Sequence, residues 1–103
     1  MKSNALIFIG VLCFSFLSCE KQKNRILVFS KTSGYRHESI EAGKVAMIDL
    51  GRKNNIEVDT TEDASLFTED NLKNYKAVVF LNTTQDVLGP VQQADFKRFI
   101  EAG

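Results

Sequence analysis

The stretch RILVFS (Arg25–Ser30) decides how the fold is read. Ile26, Leu27, Val28 and Phe29 follow one another with no polar residue between them. A strand with one wet face would alternate apolar and polar residues, because successive side chains point to opposite faces. So short an unbroken run predicts a strand buried on both faces, as in a parallel sheet.

Reading forward, the run passes into a polar loop and then a helical pattern. Ser39 is placed to cap that helix, with Glu41 in the first turn where the dipole favours an anion. From Ile40 to about Asn54, the residues Ile40, Gly43, Met47, Leu50 and Gly51 share one face, widened by Val45 and Ile48. Gly43 and Gly51 lower helix propensity, which predicts that the helix packs closely on a sheet there. Asn54 and Asn55 end it. IEVDTT (Ile56–Thr61) alternates, as an edge or half-exposed strand does. Asp63–Phe67 reads as a loop, and Thr68 as the cap of a short helix ending near Tyr75. KAVVFLN (Lys76–Asn82) is a second unbroken apolar run and predicts a second strand buried on both faces. Pro90 suits the first position of a helix. Phe96, Phe99 and Ile100 then form a stripe, and Gly103 stands where a helix-ending glycine belongs.

Strands that alternate with helices define an α/β fold. Here it is a parallel sheet with helices on both faces and right-handed crossovers. Two buried strands and one alternating strand imply the order 2-1-3, with the second strand outermost. Three strands make a thin core, so residues 25–103 read as the N-terminal part of a longer, truncated domain. In a self-contained three-stranded unit the third strand would expose an edge.

Upstream, Lys2 precedes the uncharged run ALIFIGVLCFSFL (Ala5–Leu17). That is short of the roughly 20 residues a membrane span needs and fits a signal peptide over residues 1–18. Its end, FLSC, resembles a bacterial lipobox, with small Ser18 before Cys19 as the lipidation site, although Phe16 stands where Leu is usual. The other reading of the same run is an uncleaved N-terminal anchor. Residues 19–24 form a polar tether. Lipid attachment places the chain in the cell envelope, anchored to a bacterial membrane on its periplasmic or surface side. Cleavage before Cys19 leaves twelve basic residues against thirteen acidic ones, a net charge of −1. That balance argues against a nucleic-acid partner, which calls for a basic face. Cys13 and Cys19 are the two cysteines, so the mature segment holds no disulfide, thiolate metal site or cysteine nucleophile.

In open parallel sheets, ligands bind beyond the carboxyl ends of the strands, where the strand order reverses. That crevice falls between strands one and three. The first loop brings Lys31, Thr32, Ser33, Tyr35, Arg36 and His37, and the third brings Asn82, Thr83, Thr84, Gln85 and Asp86. His37 precedes a helix N-terminus whose dipole disfavours an imidazolium. A neutral imidazole serves as base, donor or ligand, and His37 is the catalytic candidate. Its other role is that of a loop residue bonding the helix start. Tyr35, Arg36, Asn82, Thr83 and Thr84 are the substrate-binding candidates: Arg36 for an anionic group, Asn82 and the threonines for sugar hydroxyls. Turn formation and helix capping are competing roles for the threonine pair and Asp86. Glu62, Asp63, Glu69 and Asp70 read as solvated charges. The sequence has no phosphate-loop or GxGxxG spacing, no G-x-S-x-G elbow and no metal-binding pattern. No metal and no cofactor is expected.

Three segments, RILVFSKTSGYRHESIEAG, EVDTTEDASLFTEDNLKNYKAVVFLNTTQDVL and FKRFIEAG, resemble the ThuA-like (trehalose utilisation) family from Arg25 to Gly103. The carrying motifs are G-Y/F-R-H-x-S-I after strand one, T-E-D-A-S-x-F, and an apolar strand ending L-N-T-T. The resemblance implies a flavodoxin-like, class I glutamine-amidotransferase-like fold. It also implies a link to sugar metabolism, with an oxidised disaccharide or another glycoside as the small-molecule partner. It places Gly34, Arg36 and His37 in the family's first loop and Asn82–Thr84 in its third. Three readings stay open: an enzyme module, a non-catalytic carbohydrate-binding module, and a fragment inactive alone.

Overall fold

The computed structural model describes residues 24–103. The predicted signal peptide, Cys19 and all of the tether but Asn24 lie outside the described residues. Three strands, β1 (Arg25–Phe29), β2 (Glu57–Thr61) and β3 (Ala77–Phe80), form a parallel sheet in the order β2-β1-β3. This is the order and the α/β class that the two apolar runs predict. The register pairs Phe29 with both Thr61 and Phe80, so the three carboxyl ends lie level. β1 is the central strand, and Leu27, Val28 and Phe29 are fully buried.

The helices are α1 (Ser39–Lys53), α2 (Glu69–Leu72) and α3 (Pro90–Glu101). One sheet face carries α1, which packs on Ile26 and Val58. The other face carries the aromatic core. Leu27 and Phe29 meet Phe67, Leu72 and Val87 there, with Phe96 and Phe99 of α3 packed against them. Phe29 meets Phe67 edge-on at 4.6 Å and Phe80 at 5.6 Å, and Phe96 lies 5.6 Å from Phe67 and 5.4 Å from Phe80. Edge-to-face contacts of this kind add about 0.5–1.5 kcal/mol each beyond the area they bury.

Local signals explain most element ends. Asn55 takes up a left-handed conformation (φ 57°), and the Asn54 and Ile56 amides both donate to the Gly51 carbonyl, closing α1. Thr68 Oγ1 accepts from the Asn71 amide at 3.1 Å and starts α2. Pro90 opens α3, and Gly103 follows its end at φ 96°. At the amino end of the sheet, Arg25 pairs with Glu57 (3.1 Å) and Asp59 (3.5 Å). The Tyr75 hydroxyl donates to Asp59 at 2.7 Å, and burial together with that bond pushes its pKa up to about 12.

Four expectations are corrected. β3 is not buried on both faces: among the described residues it has a partner along one edge only, and Phe80 is 39% exposed. Asp63–Phe67 is not plain loop, because Asp63 Oδ1 accepts from the amide and hydroxyl of Ser65 and winds Ala64–Leu66 into a 3-10 turn. Ser39 is the first helical residue and does not cap the helix, since Glu38 occupies the capping position with no side-chain bond. α2 closes at Leu72, three residues before Tyr75.

The two glycines of α1 do face close neighbours, but unequally. A Cβ on Gly51 would stand 2.5 Å from Val58 Cγ2 and 2.7 Å from the Ile56 carbonyl oxygen, a backbone atom that cannot turn aside. On Gly43 it would meet only the ends of the Leu81 side chain, at 3.0 and 3.1 Å. Gly51→Ala should therefore destabilise the domain by about 1–3 kcal/mol through overpacking. Gly43→Ala should cost nothing, or gain up to about 1 kcal/mol from helix propensity. Urea unfolding of the two variants checks the contrast.

Candidate functional site

The level strand ends bring the loop after β1 and the loop after β3 together. The Leu81 amide donates to the Phe29 carbonyl at 2.8 Å, and beyond it Thr32 and Thr84 form an isolated parallel bridge. The Ser33 amide donates to the Thr84 carbonyl at 3.1 Å, and the Ser33 hydroxyl to the Asp86 carbonyl at 2.7 Å. Thr84 Oγ1 accepts from the Gly34 amide (3.2 Å) and donates to the Tyr35 carbonyl (2.9 Å). The two loops form one rim.

Their backbones are bent to reach each other. Asn82 and Gln85 hold positive φ, 50° and 59°, a region non-glycine residues seldom occupy. Gln85 lies so close over Gly34 that a Cβ there would stand 2.5 Å from its amide nitrogen. Asn82 Nδ2 donates to the Ser39 hydroxyl at 2.6 Å, tying the third loop to the first turn of α1.

Four charges brace the first loop from the side. Arg36 donates to Glu62 Oε1 at 2.6 Å and to Glu41 Oε2 at 2.7 Å. Lys44 reaches the same acids, at 2.9 Å to Glu62 and 3.4 Å to Glu41. Hydrogen bonds from Arg36 and then Lys44 hold the Glu62 carboxyl below the usual carboxylate range, and the bond to Glu62 raises Arg36 and Lys44. Glu62's share of the bracing is in force above an ordinary glutamate pKa and fades as pH falls through its lowered one. Glu62 is thus the hub of a network and not the simple solvated charge that the sequence suggests.

The six candidate residues divide into two kinds. Arg36, Asn82 and Thr84 have their polar groups engaged within the protein, and Thr83 is half-buried between the last two. Tyr35 and His37 face outward: Tyr35 is 68% exposed, His37 is exposed, and their rings meet edge-to-face at 5.0 Å. The His37 carbonyl accepts from the Ile40 amide at 3.3 Å, so the backbone of this residue bonds the helix start. Sequence reasoning missed Ser39, Glu41 and Lys44 as supports of the rim. The i,i+3 spacing of Glu41 and Lys44, one turn after Arg36, was the available signal.

Among the described residues, no three His, Cys, Asp or Glu side chains gather as metal ligands. No helix there is long and apolar enough to cross a membrane. An apolar pocket of about 140 Å³ lies at the other end of the sheet, between α1 and the amino ends of β1 and β2, and is no part of the rim.

Fold and rim together define an open parallel α/β domain with its polar loops gathered where the strand order reverses. The family model for trehalose utilisation, ThuA, matches residues 25–103, and the chain belongs to that family. The family gives it a role in carbohydrate utilisation, with a carbohydrate-related ligand. Neither the curated proteins nor the solved structures include a match.

Thr84→Val keeps the side chain's shape and removes both bonds of its hydroxyl. At about 0.5–1.5 kcal/mol per bond, the loss should be about 1–2 kcal/mol because water reaches the freed groups. Amide hydrogen exchange should quicken at Gly34 while the core amides of β1 lose only that global increment. Exchange rates resolved by residue check both.

Proposed function

We propose that this chain is a lipid-anchored ThuA-family domain whose rim recognises or acts on a sugar derivative, an oxidised disaccharide or another glycoside. The observation that supports this is the outward-facing Tyr35–His37 pair, held on a loop that hydrogen bonds and ion pairs immobilise. A sugar ring has one apolar face and a rim of hydroxyls. The Tyr35 ring offers an amphipathic surface to the first, and the His37 imidazole offers a donor or acceptor to the second. The engaged groups of Arg36, Asn82 and Thr84 then act by positioning the pair, which keeps the ordering cost of binding low.

Catalysis would assign His37 as the acid or base that moves a proton at the glycosidic or an adjacent oxygen. Binding alone would use the same two rings with no bond broken. Turnover and equilibrium binding of oxidised and ordinary disaccharides by Tyr35→Ala and His37→Ala separate these. Tyr35→Ala should weaken binding roughly tenfold, the loss of about 50 Å² of apolar contact at about 25 cal/mol per Å². His37→Ala should abolish turnover and spare binding if the site is catalytic. Sugar binding untouched by either variant would refute the rim as the site.

The same proposal attaches the domain to the envelope through lipid on Cys19, facing the periplasm or the outside. Labelled palmitate should enter the full chain and be absent from Cys19→Ala.

A further inference from the structure

The end of the sheet away from the rim has its own chemistry. Ile26, Met47, Leu50, Ile56 and Val58 line the apolar pocket there, and Leu50 at its mouth is 57% exposed. The chain from Cys19 arrives at the same end. The Glu57 amide donates to the Asn24 carbonyl at 2.9 Å, and Asn24 Nδ2 donates to the Asn55 carbonyl at 2.7 Å. Asn24 is therefore pinned beside the residues that form the pocket wall.

Length makes this placement consequential. Five residues, Glu20 to Asn24, follow Cys19. At no more than about 3.6 Å per residue, they reach about 18 Å when fully extended. A lipid on Cys19 thus holds Asn24 within about 18 Å of the bilayer surface, and the pocket wall residues adjoin Asn24. Charge agrees with that neighbourhood. Among the described residues Arg25, Arg52, Lys53 and Lys76 lie at this end against Asp49, Glu57 and Asp59, with Arg25 paired to Glu57 and Asp59 and Arg52 to Asp49. The sequence between Cys19 and Arg25 adds two lysines and one glutamate, for an excess of two positive charges in all. Basic residues beside a membrane are drawn to anionic headgroups.

We propose that this end of the domain, Leu50 and the pocket with the Arg52–Lys53 corner, seats on the surface of an anionic bilayer. The inference rests on the lipid-anchor reading and adds an orientation to it. The strands run from the seated end to the rim, so Tyr35 and His37 point away from the membrane, into the compartment where a sugar diffuses. The anchor alone would leave the domain free to tumble on its tether. The apolar mouth and basic corner supply the second and third signals that make membrane attachment oriented and stable.

The test uses the full chain, made in a bacterial host and reconstituted in phosphatidylglycerol–phosphatidylcholine vesicles. An environment-sensitive dye is placed on Leu50→Cys in one sample and on Tyr35→Cys in another, with intact mass locating the dye and the lipid. The dye at position 50 should shift to the blue and be quenched severalfold more by headgroup-labelled quencher lipid than the dye at position 35. Lys53→Cys gives a second seated position should Leu50→Cys fail to fold. Equal quenching at the two ends, on chains whose mass shows lipid on Cys19, would overturn the seating while leaving the anchor intact. A mass without lipid would remove the anchor and the seating together. A blue shift that grows with protein concentration in the absence of vesicles would assign the face to a second copy of the chain and also overturn the proposal.

Discussion

Everything in the domain is placed by the two hydrogen-bonded edges of β1. The strand pairs with β2 along one side and β3 along the other, both parallel and both level at Phe29. With α1 on one face and the aromatic core on the other, Leu27, Val28 and Phe29 are buried, at most 1% exposed. Parallel pairing forces a crossover after each strand. It also delivers the loops after all three strands to the same end. The rim is thus a consequence of strand direction before it is a matter of any particular residue.

The aromatic core keeps that arrangement rigid on the side where the strand cover is thin. β3 is an outer strand among the described residues, yet Phe80 is held by Phe29 and Phe96 as well as by its backbone bonds. Phe67, contributed by the turn after the 3-10 segment, touches Phe29, Phe80 and Phe96. The T-E-D-A-S-x-F motif has a physical role here. Asp63 winds the turn that delivers Phe67 to the core, and Glu62 reaches back to brace Arg36 at the rim. One short segment serves both the core and the site.

The rim separates support from contact. Thr84, Asn82 and Arg36 spend their hydrogen bonds on holding loops together, and two neighbouring rings are left facing solvent. On the proposed reading, two rings held in fixed positions suit recognition of a ligand with its own rigid ring. The opposite end holds the apolar pocket and lies where Asn24 leads into β1. On the two proposals, the ends of the strands divide contact with small molecules from contact with a surface.

Much of this was legible in the residues alone. The unbroken apolar runs in Arg25–Ser30 and Lys76–Asn82, the alternation in Ile56–Thr61 and the end signals at Thr68, Pro90 and Asn54–Asn55 are local, and local chemistry set the elements and their order. The sequence also named both loops of the rim. It could not say which of their polar groups are engaged, because the partners lie far away along the chain: Thr84 is about fifty residues from Gly34 and Tyr35, Asn82 is 43 from Ser39, and Arg36 is 26 from Glu62. Only the packed strands bring such groups within hydrogen-bonding distance. The exposure of β3 escaped sequence reading for a related reason: an apolar run records what a strand is able to bury, and the neighbours present decide how much of it is buried.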